Sequence, residues 1–283
     1  MTEIGKDDKP KSSTKSKTAK AMARLINSKP LSNELASSLS SLSPALSKTT
    51  VLQTLRLLTN SSKAFQFFKW VHDMGFPHND QSYFLMLVIL GCGKNFNVAR
   101  NFLFSLELRS NGSVKLNDRL FNSSIRSYGQ AGLFEESMQL FQTMKTMAVS
   151  PSVITFNSLL SIGRTNITND IYDEMLRTYG VAPDTCTYNI LIRGFCKNSM
   201  VDGGFRFFNE MSRFNCDADI ITYNTLLDGL CKAGKVKIAH DLAKGMSKKS
   251  KNLNPNVVTC TTLIGGHCMQ QKLDEALSSA QAK

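Results

Sequence analysis

The chain lacks the residue groupings that most catalytic and metal sites need. Its seven cysteines, Cys92, Cys186, Cys196, Cys216, Cys231, Cys260 and Cys268, form no C-x-x-C pair and have no histidine at ligand spacing. That excludes a zinc site and points to a reducing compartment. His72, His78, His240 and His267 are followed two residues on by Met74, Asp80, Leu242 and Met269, so the H-x-E of a zinc deaminase is absent. Gly91-Cys92-Gly93-Lys94 has Val88 where a phosphate loop needs its first glycine, and Asn95 where it needs the Ser or Thr that holds magnesium. No run approaches the roughly 18 apolar residues of a membrane span, and the amino-terminal segment has no apolar signal core. The carboxylates are scattered over what read as helix surfaces. No metal, cofactor, small-molecule substrate, membrane association or catalysis is expected.

What the chain has instead is a repeat. In residues 220–256, Tyr223, Leu226, Leu227 and Leu230 fall at i, i+3, i+4 and i+7, which predicts an amphipathic helix with Thr222 as its N-cap. Lys232-Ala233-Gly234 ends that helix, and Val236, Ala239, Leu242, Ala243 and Met246 predict a second. The head recurs as TCTYNILIRGFCKNS at 185 and VVTCTTLIGGHC at 257, so repetition explains the column Cys196, Cys231, Cys268. Weaker heads begin at 80 and 118, and the unit at 153 is about three residues short around Arg164. The second helix keeps the same register. Ala64, Ala99, Ser137, Gly204, Ala239 and Ala276 form a small-residue column, and Val71, Leu106, Met144, Met175, Met211 and Met246 form a large apolar one. Small against large at fixed offsets is what close helix packing needs.

The predicted fold class is all-α: an α-solenoid, or superhelix, of tandem helix-turn-helix repeats of about 35 residues. The units fall near 45–79, 80–117, 118–152, 153–184, 185–219, 220–256 and 257–283. The last is incomplete, as expected either for a fragment of a longer array or for a shortened gene product. Residues 1–44 read as a basic, Ser/Lys-rich leader, disordered to about Thr18 with at most a short helix over 19–26. The net charge of +12, from 34 Lys plus Arg against 22 Asp plus Glu, favours a polyanionic partner.

The stretch TYNTLLDGLCKAGKV at 222–236 resembles the pentatricopeptide repeat of the plant P class, and the resemblance covers residues 45–283. The tetratricopeptide repeat has a related hairpin but wants a Trp near its start and a Leu-Gly-x-x-Tyr core. Trp70 is the only tryptophan, and no unit shows that core. The resemblance implies binding of single-stranded organellar RNA at one base per hairpin, supporting transcript processing, stability or translation without catalysis. The alternative is a helical-repeat scaffold for protein partners, which would not need an ordered Asn/Asp register. The resemblance also implies a chloroplast or mitochondrial transit peptide, the chloroplast ahead, although Glu3, Asp7 and Asp8 depart from such a leader.

Carried onto this chain, the family pattern assigns base reading to the fifth and last residues of each unit. These are Asn122 with Ser152, Asn157 with Asp184, Asn189 with Asp219, and Asn224 with Asn256; Thr261 opens a further pair. Asn with Asp implies uracil, Asn with Asn or Ser implies cytosine over uracil, and Thr261 implies a purine. The resemblance places base-sandwiching apolar walls at Ile154, Cys186, Ile221 and Val258 and phosphate contacts at Lys197 and Lys232. Phe84 with Asn117 departs from the pattern, and Arg119 and Gln81 are unsuited as walls. Each residue also has a plainer reading: the Asn side chains as surface polar groups, Asp184, Asp219 and Asn256 as helix caps, the lysines as solvated charges.

Overall fold

The computed structural model describes residues 11–28, 33–42, 44, 46–163, 165–249 and 253–270. They form two compact units, 1–150 and 151–283. The described residues form helices and no strand, and no described helix is long and apolar enough to cross a membrane.

In the first unit, helices α1 (Lys11–Ser28) and α2 (Asn33–Ser40) precede α3 (Lys48–Leu57) and α4 (Ser61–Asp73). Then come α5 (Asp80–Cys92), α6 (Phe96–Phe104), the short α7 (Leu106–Arg109), α8 (Asp118–Gln130) and α9 (Phe134–Thr146). Helix α1 contains the short helix expected over 19–26 and begins earlier, at Lys11, where disorder to about Thr18 was expected. Its Ala19, Met22, Ala23 and Ile26 stand at i, i+3, i+4 and i+7, are buried, and α1 packs on α3. Lys63 Nζ donates to the Ile26 and Asn27 carbonyls, each at 2.9 Å, and so caps the carboxyl end of α1. A Ser/Lys-rich composition thus carried one apolar stripe sufficient for docking.

The second unit runs α10 (Val153–Ile162), α11 (Thr165–Asp173) with a π-helical turn at Glu174–Thr178, α12 (Thr185–Lys197) and α13 (Val201–Met211). It continues through α14 (Ile220–Lys232), α15 (Val236–Lys249) and α16 (Val257–Met269). The short repeat lost its residues from one place: α10 has 10 residues where α12 and α14 have 13. Ala276 and the rest of 271–283 lie outside the described residues.

Successive first helices α10, α12, α14 and α16 pack against one another in order. The glycine and cysteine columns make this possible. A Cβ on Gly229 would stand 2.6 Å from Cys196 Sγ, and one on Gly266 would stand 2.5 Å from Cys231 Sγ, so each thiol fills the space its neighbour's glycine leaves. Burial pushes the Cys196 and Cys231 thiols up to about 11, which leaves them neutral packing groups. Between hairpins, the Tyr172 hydroxyl donates to Glu210 Oε1 at 2.8 Å and meets the Tyr188 hydroxyl at 3.0 Å, joining α11, α12 and α13. The columns Val71, Leu106 and Met144 in the first unit and Met175, Met211 and Met246 in the second are all buried.

Each of five first helices starts with a capping box made by the residue before it and its own third residue: Asn79 with Ser82, Ser152 with Thr155, Asp184 with Thr187, Asp219 with Thr222, Asn256 with Thr259. The N-cap of α14 is therefore Asp219, not Thr222. The side chain at the N-cap bonds an otherwise orphaned backbone N–H, while the Thr or Ser hydroxyl answers the N-cap's own N–H.

Candidate nucleic-acid interface

The second unit joins three of the sequence-predicted pairs. Asn157 Nδ2 donates to Asp184 Oδ1 at 3.2 Å. Asn189 Nδ2 donates to Asp219 Oδ1 and Oδ2 at 3.3 and 3.4 Å. Asn224 Nδ2 donates to Asn256 Oδ1 at 3.4 Å. Each contact runs from the first turns of one first helix to the N-cap of the next, so capping and pairing are one network.

The capping threonine completes it. Thr222 Oγ1 lies 2.6 Å from Asn189 Oδ1 and 2.8 Å from Asp219 Oδ1, while its N–H donates to Asp219 Oδ1 at 2.8 Å. Thr259 Oγ1 repeats the first contact on Asn224 Oδ1 at 2.7 Å. In both pairs the amide oxygen faces threonine, which fixes the amide with its NH2 toward the N-cap. Thr187 makes no such bond to Asn157, whose Oδ1 is buried with no partner among the described residues. Partial burial raises the Asp184 and Asp219 carboxyls, but the threonine N–H, the threonine hydroxyl and the Asn amide outweigh it, and both are held below the usual carboxylate range.

An open cavity of about 960 Å³ adjoins the middle pair. Its lining includes Asn189 and Asp219, the wall residues Cys186 and Ile221, and the cations Arg193 and Lys197. Burial first, then the Asp184 and Asp219 charges, push the Cys186 thiol up, which keeps it neutral. Ile154, Ile221 and Val258 are 61, 52 and 56% exposed at the same second helical position, large apolar groups that the core does not use.

Other assigned residues stand differently. Asn122 is buried, its Nδ2 donating to Asp118 Oδ1 at 2.8 Å within α8, so it does not show the open amide of the other three. Ser152 caps α10, accepting from Ile154 N–H at 3.2 Å, and lies in the second unit while Asn122 lies in the first. Thr261 is exposed and donates to the Val257 carbonyl at 2.7 Å. In the first unit the Arg119 guanidinium lies 4.0 Å over the Phe84 ring and covers it. Lys232 is in an ion pair with Asp228 at 2.7 Å, whereas Lys197 is exposed with no carboxylate partner among the described residues. Arg193, not among the residues assigned from the sequence, lines the same cavity, four residues after Asn189 and four before Lys197 on α12.

Comparison with known proteins places this geometry. A family model described as the PPR repeat family matches residues 161–197, 183–232 and 218–269, and one described as the pentatricopeptide repeat domain matches 109–166. Pentatricopeptide repeat-containing protein At1g02060, chloroplastic, of Arabidopsis thaliana is 61% identical over 271 residues, covering 94% of this chain and 38% of its own. Pentatricopeptide repeat-containing protein At5g25630 of the same plant is 24% identical over 238 residues, with 82% and 41% covered. The chain thus spans about two fifths of the length of these relatives. The crystal structure of maize pentatricopeptide repeat protein PPR10 has the same fold: TM-score 0.67 at 24% identity over 94% of this chain and 38% of that one. PPR10 in complex with an 18-nt psaJ RNA element gives a TM-score of 0.64 at 22% identity, with 93% and 42% covered.

Proposed function

Because the chain belongs to the pentatricopeptide repeat family, we propose that it binds single-stranded RNA, with the hairpins of residues 151–283 each taking one base. The observation that carries this reading is the Asn189–Asp219 pair lining one cavity with the apolar Cys186 and Ile221. A flat base fits between two apolar walls, and its Watson–Crick edge meets the polar pair.

The free hydrogen-bonding capacity of each pair sets the base. Asn189 keeps one Nδ2–H uncommitted, and its contact to Asp219 Oδ2 is long, at 3.4 Å. A donor beside an acceptor matches uracil, whose N3–H gives and whose carbonyl oxygens receive. Asp184 offers the same acceptor beside Asn157. Asn256 differs: its Oδ1 already takes Thr259 N–H and Asn224 Nδ2, so N–H groups face outward. Such a pair suits cytosine, whose N3 and O2 both accept. The order from 153 to 256 is uracil, uracil, cytosine.

The protein acts without catalysis, supporting processing, stability or translation of an organellar transcript. The chloroplast is favoured because the relative at 61% identity is named chloroplastic. Binding of short RNAs that differ only at the base facing Asn189 and Asp219 tests the reading. Asn189→Thr is expected to move preference from uracil toward guanine, the base that the family pattern gives for Thr with Asp. Discrimination should be about 1–3 kcal/mol, the scale of a good base-edge contact. Equal loss of affinity for every base would make Asn189 a structural residue only.

A further inference from the structure

We propose that Thr222 and Thr259 are positioning residues for the base-reading Asn of the helix before them, and that Thr187 leaves Asn157 unlocked, so the base facing Asn157 is read less strictly than the base facing Asn189. The inference rests on the RNA-binding reading and adds to it which letters are read strictly. All three threonines are the third residue of a first helix and are fully buried, so each acts on a base only through the preceding Asn. Their identity is the same, but their bonds differ.

A threonine hydroxyl has one proton to donate. For Thr222 Oγ1 the nearer acceptor is Asn189 Oδ1, at 2.6 Å against 2.8 Å for Asp219 Oδ1. For Thr259 Oγ1 it is Asn224 Oδ1, at 2.7 Å against 3.1 Å for Asn256 Oδ1. Each amide is thus held at both ends, its oxygen by threonine and its NH2 by the next N-cap. With the oxygen engaged, the group left for a base is an N–H. In α12 the Thr187 hydroxyl goes to Asp184 Oδ1 at 2.8 Å, and Asn157 is held by its NH2 alone, at 3.2 Å. Its Oδ1 is buried with no partner among the described residues, so turning the amide toward a donor relieves an unsatisfied acceptor. An amide free to turn presents a donor or an acceptor, and therefore separates uracil from cytosine poorly.

The test is fluorescence anisotropy on the full chain with short labelled RNAs that carry uracil or cytosine at one letter, at fixed salt. In the unaltered chain the uracil-to-cytosine affinity ratio should be larger at the letter facing Asn189 than at the letter facing Asn157. Thr222→Val keeps the shape and removes the hydroxyl; it should lower the ratio at the Asn189 letter by about 2- to 10-fold, the worth of one hydrogen bond, while Thr222→Ser retains it. Thr187→Val should leave the ratio at the Asn157 letter unchanged. Both Val variants remove a capping-box hydroxyl, so urea unfolding should show equal losses of stability, and a purely structural role requires equal effects on the base ratios as well. Equal ratios at the two letters in the unaltered chain, or equal changes in the two Val variants, overturn the positioning role while the RNA-binding reading stands. If Thr222→Val fails to fold, the comparison of the two letters in the unaltered chain decides alone. Absence of RNA affinity in the unaltered chain overturns both.

Discussion

At the scale of single residues, the last position of a repeat has two tasks. Asp184, Asp219 and Asn256 each cap the next first helix and each accept the amide of the preceding Asn. Capping is therefore compatible with the proposed base-facing role, and side chains able to accept at an N-cap fit there. Three variants at one position separate the tasks. Asp219→Asn keeps the cap, so thermal stability should move by less than about 0.5 kcal/mol while preference shifts from uracil to cytosine. Asp219→Ala should lose about 1 kcal/mol as well as base preference, because the orphaned N–H of α14 loses its acceptor. Asp219→Ser should recover most of the stability without the uracil preference. Chemical denaturation alongside RNA binding reads both quantities. Backbone strain gives a second case. Lys94, Gly132, Ser199 and Gly234 occupy the same turn in four repeats, all left-handed, with φ of 56, 79, 60 and 72°. A side chain pays a penalty there that glycine does not, so Ser199→Gly should stabilise the chain by about 1 kcal/mol in urea unfolding.

Helices and their junctions were legible in the sequence to different depths. The stripes of α12 and α14, the shortening near Arg164 and the buried methionine column follow from spacing alone, because helical period and close packing leave a pattern in the residue order. Helix α1 was legible only in part: its apolar residues over 19–26 announce a short helix, but its start at Lys11 runs through Ser and Lys, and docking to α3 is a tertiary fact. Asn122 was misleading for a similar reason. It matches Asn189 in register, but Asp118 one turn earlier takes its amide. The column of glycine beside cysteine was visible, yet its cause was not, since a thiol of one helix fills a gap in another. That cause yields a paired test. Gly229→Ala puts a Cβ within 2.7 Å of Cys196 Cβ and should cost about 1–3 kcal/mol. Gly194→Ala meets nothing within 4 Å and should gain about 1 kcal/mol from helix propensity. Equal effects would mean that α12 and α14 do not meet through these residues.

On the scale of the whole molecule, acid should weaken the two compact units in sequence. His78, in the first unit, stacks on Phe68 at 3.6 Å, and its Nε2 donates to the Phe68 carbonyl at 2.9 Å. Burial, against that bond and with a smaller push from His72, lowers its pKa to about 4. The unfolded chain then takes up a proton before the folded one does. Stability of residues 1–150 is full above about pH 6.5, falls as pH drops, and levels near 4, a loss of roughly 3 kcal/mol at most. In the second unit Asp184 and Asp219 have lowered pKa values. Their contribution is present above the unfolded carboxyl pKa of about 3.9 and is lost only as pH falls below it. Amide exchange by mass spectrometry at about pH 7 and 5, corrected for intrinsic rates, should show 1–150 opening first, with 151–283 little changed. A His78→Phe variant should remove the difference.

The missing turn of α10 has a meaning for how such arrays change over time. The three absent residues come from the carboxyl end of the helix, while Asn157 and the capping box sit at its amino end. If the proposed pairs read bases, a hairpin trimmed here keeps its letter of the word. What it gives up is the far end, since α10 stops at Ile162, a turn before the place where α12 carries Lys197. On that reading length variation at this end of a first helix leaves the spelling intact.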